Sequence, residues 1–177
     1  MSIRTILTQG DPALNKVCHP VTRFDEKLAD LLDDLKETLS EANGVGLAAP
    51  QIGILRRAVI VVPDPEVDEM IELVNPELLA QEGEDDGWEG CLSLPGMWGK
   101  VKRPKWVKVR AQDRHGDWFE IEGTEMAARC YCHELEHLEG HMYDEHTDRL
   151  YTAEELDAIM TQEEKEENAR RRRRRRR

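Results

Sequence analysis

No stretch of eighteen apolar residues occurs in the chain, so the sequence offers no candidate membrane-spanning helix. The opening residues, MSIRTILTQGDPALN, lack the basic and then apolar order of a signal peptide, and the expectation is a cytoplasmic protein with no membrane partner. Neither a Walker pattern nor a dinucleotide fingerprint is present, which removes the commonest phosphate-cradling loops. There is no internal repeat and hence no solenoid. Cysteine is scarce: Cys18, Cys91, Cys130 and Cys132 suit thiols or metal ligands better than a disulfide framework. Cys130 and Cys132 lie too close in sequence to bridge each other well.

What is present fits one domain, since 177 residues can bury one real core. The formal charge is −12, yet the eight arginines from Arg170 to Arg177 contribute +8, leaving −20 on residues 1–169. An acidic body thus carries a basic end. We expect a catalytic domain over 1–165 and a charged, disordered extension over 166–177, where nothing can be buried. Such an arginine run suits an electrostatic contact with RNA.

Residues 25–42 place Leu28, Leu31, Leu32, Leu35 and Leu39 at three- and four-residue steps, which predicts an amphipathic helix ending near Asn43-Gly44. GVGLAAPQIG looks too rich in Gly and Pro for a regular element, and RRAVIVVP reads as a buried strand. Residues 71–79 and 105–111 look extended, and HGDWFEIEG looks like a turn entering another strand. A second helix is expected from about Thr124 to Glu139, with Gly140 as terminator, and a third from Thr152, where Thr152 and Glu155 fit a capping box. The fold class is therefore α+β: short mixed or antiparallel sheets packed around a central helix, with a C-terminal helix.

The central helix carries HELEH. His133 and His137 lie four apart, so both imidazoles share one face and can close on one metal ion, with Glu134 beside them. Two ligands do not make a site. The long pattern that adds a third histidine after Gly140 fails, because position 143 is tyrosine and His141 is out of step. Glu154, Glu155, Glu163 and Glu164 are alternatives on a helix that reads more simply as a charged face. Cys91, in WEGCLSLPG, would complete a Cys, His, His set with a fourth position open, as in catalytic centres, although a lone Cys is equally a small buried hydrophobe.

Three blocks together are more specific. GVGLAAPQ at 44–51, EGCLS at 89–93 and HELEHLEG at 133–140, in this order, resemble the peptide deformylase family, as do RTILTQGDPALNKVCHPV and NPEL. The resemblance spans the body of the chain to about residue 150. It implies that Cys91, His133 and His137 bind one divalent metal, usually Fe2+, with Zn2+, Ni2+ or Co2+ able to substitute, and that Glu134 handles protons. It further implies that the Gln51 side chain and the Leu92 N–H hold a formyl oxygen, while Val45, Gly46 and Gly90 offer backbone groups to a peptide. The implied activity is removal of the formyl group from N-formylmethionyl nascent peptides, with the ribosome or its RNA as a partner for the arginine run. Two positions depart from the commonest family form, Cys132 for Gln and Glu136 for Asp, and both flank ligands. Cys130 reads as packing. A minimal zinc endopeptidase and a catalytically silent RNA-binding relative remain as rival readings.

Overall fold

The computed structural model describes residues 2–175, and its first long helix is the one that leucine spacing predicts: α1, Glu26–Ala42. Asp25 caps it by accepting from Leu28 N at 3.2 Å, and Asn43 ends it in the left-handed region at φ 53°. GVGLAAPQIG is more ordered than its composition suggests. Gly46–Ala48 forms a short strand (β1) and Ala49–Ile52 a single 3-10 turn. Leu47 and Ala48 are fully buried, and that burial holds a Gly-rich segment extended.

The segment RRAVIVVP shows why an apolar run need not alternate. As β2 (Ala58–Val61) it sits inside a five-stranded antiparallel sheet with β1, β3 (Ile71–Glu82), β6 (Trp106–Gln112) and β7 (Trp118–Thr124), in the order β1-β2-β3-β6-β7. The smaller sheet is built from β4 (Asp85–Cys91), β5 (Leu94–Arg103) and β8 (Leu150–Thr152), in that order. Val59 and Val61 pack toward the second helix, α2 (Met126–Leu138), among Leu73, Val107, Val109 and Tyr131. Ala58 and Ile60 pack the other way, against the α1 leucines. The large sheet therefore has a helix on each face, so β2 needs apolar side chains in both directions.

α2 starts two residues later than expected because β7 continues through Thr124, and Gly140 ends the segment at φ 80°. A Cβ at Gly140 would approach the Asn15 backbone to 2.8 Å, so glycine is required on two counts. Strands β4, β5 and β8 escaped the sequence reading. They form a hairpin and its short third partner, with Cys91 opposite Leu94 and only Leu92 and Ser93 between them. What looked like a loop bounded by Gly87 and Pro95 is thus the tip of a hairpin. Ser93 C=O accepts from Gln9 N at 2.8 Å, which latches that tip to the N-terminal segment.

The third helix, α3, runs Ala153–Arg175 without a break. Glu155 N donates to Thr152 Oγ1 at 3.2 Å, giving the expected cap, while the Glu155 side chain pairs with Arg149 instead of closing the box. The segment expected to be disordered from 166 is helical through Arg175; Arg176 and Arg177 lie outside the described residues. The reason is local. Glu, Lys, Gln, Ala and Arg are strong helix formers, and Glu167 pairs with Arg171 four residues on.

Candidate metal centre

Three elements meet at one cavity of about 580 Å³: the β4–β5 hairpin, α2, and the turn after β1. The hairpin delivers Cys91, and α2 delivers His133, Glu134 and His137 from one face, as the four-residue step requires. Cys91 Sγ lies 3.4 Å from His137 Nε2, which lies 3.2 Å from His133 Nε2. All three donor atoms fall within 4.8 Å of one another.

These separations can be tested against a metal. With metal–nitrogen bonds of about 2.0–2.1 Å and a metal–sulfur bond of about 2.3 Å, tetrahedral edges measure about 3.3–3.6 Å. The observed spacing matches to a few tenths of an ångström. Three lone-pair donors converging without protein partners between them would repel one another, and a single divalent cation satisfies all three. The two rings also differ electrically. Burial opposes charge on both, but Cys91 and Glu89 outweigh it at His133 and raise its pKa, whereas burial and His133 itself push His137 well below the usual range.

Glu89 is the residue that sequence reading passed over. Its Oε1 accepts from His133 Nδ1 at 2.8 Å and from Arg103 at 3.0 Å. Its Oε2 accepts from Arg103 Nε at 2.8 Å and from Arg129 at 2.9 Å. The carboxylate therefore places the His133 proton on Nδ1 and turns the Nε2 lone pair into the site. Burial alone would raise its pKa, but the hydrogen bonds from His133 and Arg103 hold it down to about 2. The only hint was its place two residues before Cys91, in a segment that looked like a loop. No comparable signal marked Arg103 or Tyr143, whose ring stacks on His133 at 5.8 Å.

Gln51 is 1% exposed. Its Oε1 accepts from Ala48 N at 2.9 Å, which fixes the amide so that Nε2 faces Ser93 Oγ at 3.0 Å and Cys91 Sγ at 3.6 Å. Leu92, at the hairpin tip, makes no backbone hydrogen bond among the described residues and borders the same cavity. Val45 C=O is taken by Val62 N at 2.7 Å and approached by Cys130 Sγ at 3.3 Å. Alternation along the ladder then turns the N–H and C=O of Gly46 to the outer edge of β1, which is terminal in its sheet. A Cβ on Gly46 would collide with the Glu134 carboxylate, so backbone and carboxylate can be this close only with glycine. Gly90 borders the cavity too, and a Cβ there would meet the Trp98 ring at 2.8 Å.

Glu134 is 4% exposed and its Oε2 has no hydrogen-bond partner. Burial is the main influence on this carboxyl, raising it to about 7, with His133 pulling the other way. A carboxyl with that affinity can both take and release a proton near neutrality. Cys130 does more than pack, since its thiol reaches Val45 C=O at the cavity wall. Cys132, on α2, is buried in the core, and burial raises its thiol to about 11. Glu136 turns away from the metal donors to Arg103 at 2.7 Å and His146 at 2.9 Å.

An α+β fold whose HExxH helix joins a thiolate to two imidazoles beside a buried carboxylate defines the class: a metal-dependent hydrolase with cysteine as third donor. Comparison narrows it. The family model for polypeptide deformylase matches residues 3–153, and the chain belongs to the peptide deformylase family. It is 52% identical to the peptide deformylase of Agathobacter rectalis, over 82% of this chain and 90% of that one. The enzyme of Caldicellulosiruptor bescii is 46% identical, over 89% and 93%. Among solved structures, the peptide deformylase of Thermotoga maritima superposes with a TM-score of 0.80 at 35% identity, covering 84% of this chain and 100% of that one. The Legionella pneumophila enzyme gives 0.80 at 38%, covering 96% of each.

Proposed function

We infer that this chain hydrolyses the formyl amide at the N-terminus of newly made N-formylmethionyl polypeptides, releasing formate and a free methionyl amine. The observation that carries the reading is the convergence of Cys91, His133 and His137 on one point, with Glu134 and the fixed Gln51 amide bordering the same cavity.

We assign Cys91, His133 and His137 as the metal ligands, with Fe2+ as the native ion and Zn2+, Ni2+ or Co2+ as substitutes. When bound, the ion supplies Lewis acidity for activating water and polarising the formyl group. Glu134 takes a proton from the attacking water and delivers it to the departing amine, so one carboxylate serves as base and then acid. Gln51 Nε2 and Leu92 N–H donate to the oxygen as charge gathers there, each worth roughly 3 kcal/mol when held in place in advance. Gly46 pairs with the peptide backbone along the open edge of β1, with Val45 and Gly90 lining the same channel.

The direct test is formate release from a short N-formyl-methionyl peptide, using protein purified without oxygen and reloaded with ferrous iron or nickel. We expect turnover that a chelator abolishes and added metal restores. No formate from metal-replete protein would overturn the assignment.

The reading extends to where the protein works. We propose a cytoplasmic enzyme whose catalytic domain, residues 1–165, is followed by a charged extension, 166–177, that contacts ribosomal RNA. Among the described residues no helix is long and apolar enough to cross a membrane. The side chains of Arg170 to Arg174 are exposed on α3, where a dense positive charge suits a phosphate backbone. Deleting Arg170–Arg177 should reduce ribosome pelleting at low salt and leave activity on a short peptide intact; equal pelleting of the truncated and full chains would sink the idea.

A further inference from the structure

Along α2, Met126 lies three and four residues before Arg129 and Cys130, which in turn lie four before His133 and Glu134, and all five border the same cavity. His133 and Glu134 stand at the reacting end. One helical turn back, about 6 Å away, the stripe carries a buried charge, since Arg129 is 9% exposed.

The guanidinium is tied down along its outer edge. Nη1 donates to Val101 C=O at 2.7 Å and Glu89 Oε2 at 2.9 Å, with Gly87 C=O at 3.4 Å. Nη2 donates to Asp85 C=O at 2.9 Å and to Asp85 Oδ2 at 3.2 Å. Nε–H has no partner among the described residues. The guanidinium also lies against Gly87, where a Cβ would come within 2.8 Å of Nη2 and 3.1 Å of Nε. The guanidinium thus fills the space that a side chain at 87 would take, and Arg129 itself borders the cavity. The wall therefore presents a planar cation with one unused donor.

This inference rests on the deformylase reading, under which the first residue's side chain extends from the reacting end along that stripe. We propose that Arg129 is a specificity-determining residue: its Nε–H donates to a polar side-chain terminus, so the enzyme deformylates chains that begin with methionine sulfoxide as well as methionine. The sulfoxide oxygen is a strong acceptor on a chiral sulfur. A fixed donor should therefore also favour one epimer over the other. A purely aliphatic wall at 129 would exclude both by leaving the oxygen desolvated and unpaired.

The test compares kcat/KM for four otherwise identical tripeptides, starting with N-formyl-methionine, N-formyl-norleucine and each epimer of N-formyl-methionine sulfoxide. Metal-loaded parent, Arg129→Met and Gly87→Ala are assayed in parallel. For the parent we expect at least one epimer within about tenfold of methionine, and Arg129→Met should lower that sulfoxide-to-methionine ratio by about tenfold or more. Because Arg129 also braces Glu89, Arg129→Met can weaken turnover on every substrate, and only the ratio reports on recognition. Gly87→Ala keeps the arginine and its charge but displaces the guanidinium, so it should shift the same ratio even if Arg129→Met fails to fold. Equal ratios in parent and variants, or exclusion of both epimers by a parent active on N-formyl-methionine, would overturn the role of Arg129 alone. A parent inactive on N-formyl-methionine would instead overturn the deformylase reading beneath it.

Discussion

Glu134→Gln should lower formate release by about a hundredfold to ten-thousandfold while leaving the metal content of the protein unchanged. Glutamine matches glutamate in shape, so it fits beneath Gly46 without disturbing the contact that glycine permits. The substitution removes only the ability to carry a proton. Glu134 is not among the three converging donors, so metal stoichiometry should match the parent. KM should change little and kcat should carry the loss, because both proton transfers belong to the reaction steps and neither to substrate binding. Activity within tenfold of the parent would remove Glu134 from the reaction and leave the cavity without a base.

Glu89→Ala has a different signature, acting on affinity and folding together. His133 loses the acceptor that fixes its tautomer, and losing such a partner typically costs ten- to a hundredfold in metal affinity. Arg103 and Arg129 lose a shared counter-charge inside the protein, which costs on the order of 3–5 kcal/mol. For a chain of this size that corresponds to a fall in Tm of roughly 10 °C. The pH dependence has a definite sign. The Glu89 carboxyl titrates at about 2 in the folded protein against an ordinary value of 4.5. Its contribution is therefore fully present above pH 4.5 and disappears as pH falls toward about 2. Denaturation midpoints followed across that window should fall for the parent and vary less for Glu89→Gln. Equal slopes would show that the carboxylate is not the buried anion the structure describes.

The same residue explains why part of the architecture escaped sequence reading. α1 was legible because its leucines repeat at the helical period, β2 because it is one continuous β-branched run, and α2 because HELEH and Gly140 mark it. β4 buries Glu89 with Gly87 and Cys91 two residues to either side, so it looks like a polar loop. The arginines that make this burial tolerable come from β5 and α2, far away in sequence. A polar network spread over three elements leaves no local period to read. The metal donors were legible in part, because the two histidines are set by one helix, while Cys91 depended on recognising three blocks together. The arginine end was misread for the opposite reason: absence of anything to bury was taken as absence of order, although helix propensity and the Glu167–Arg171 pair suffice.

The outer edge of β1 carries a consequence for what the enzyme can ignore. The strand is only three residues long, Gly46–Ala48, and ends at a 3-10 turn whose proline donates no N–H. Under the proposed pairing, an incoming chain registers against it for two or three residues and no further. A dipeptide and a whole unfolded protein thus present the same grip, and everything downstream hangs outside. Such an enzyme is blind to message beyond the chain end: it would remove the formyl group from any chain whose first residue fits the cavity, with one short template for the whole proteome.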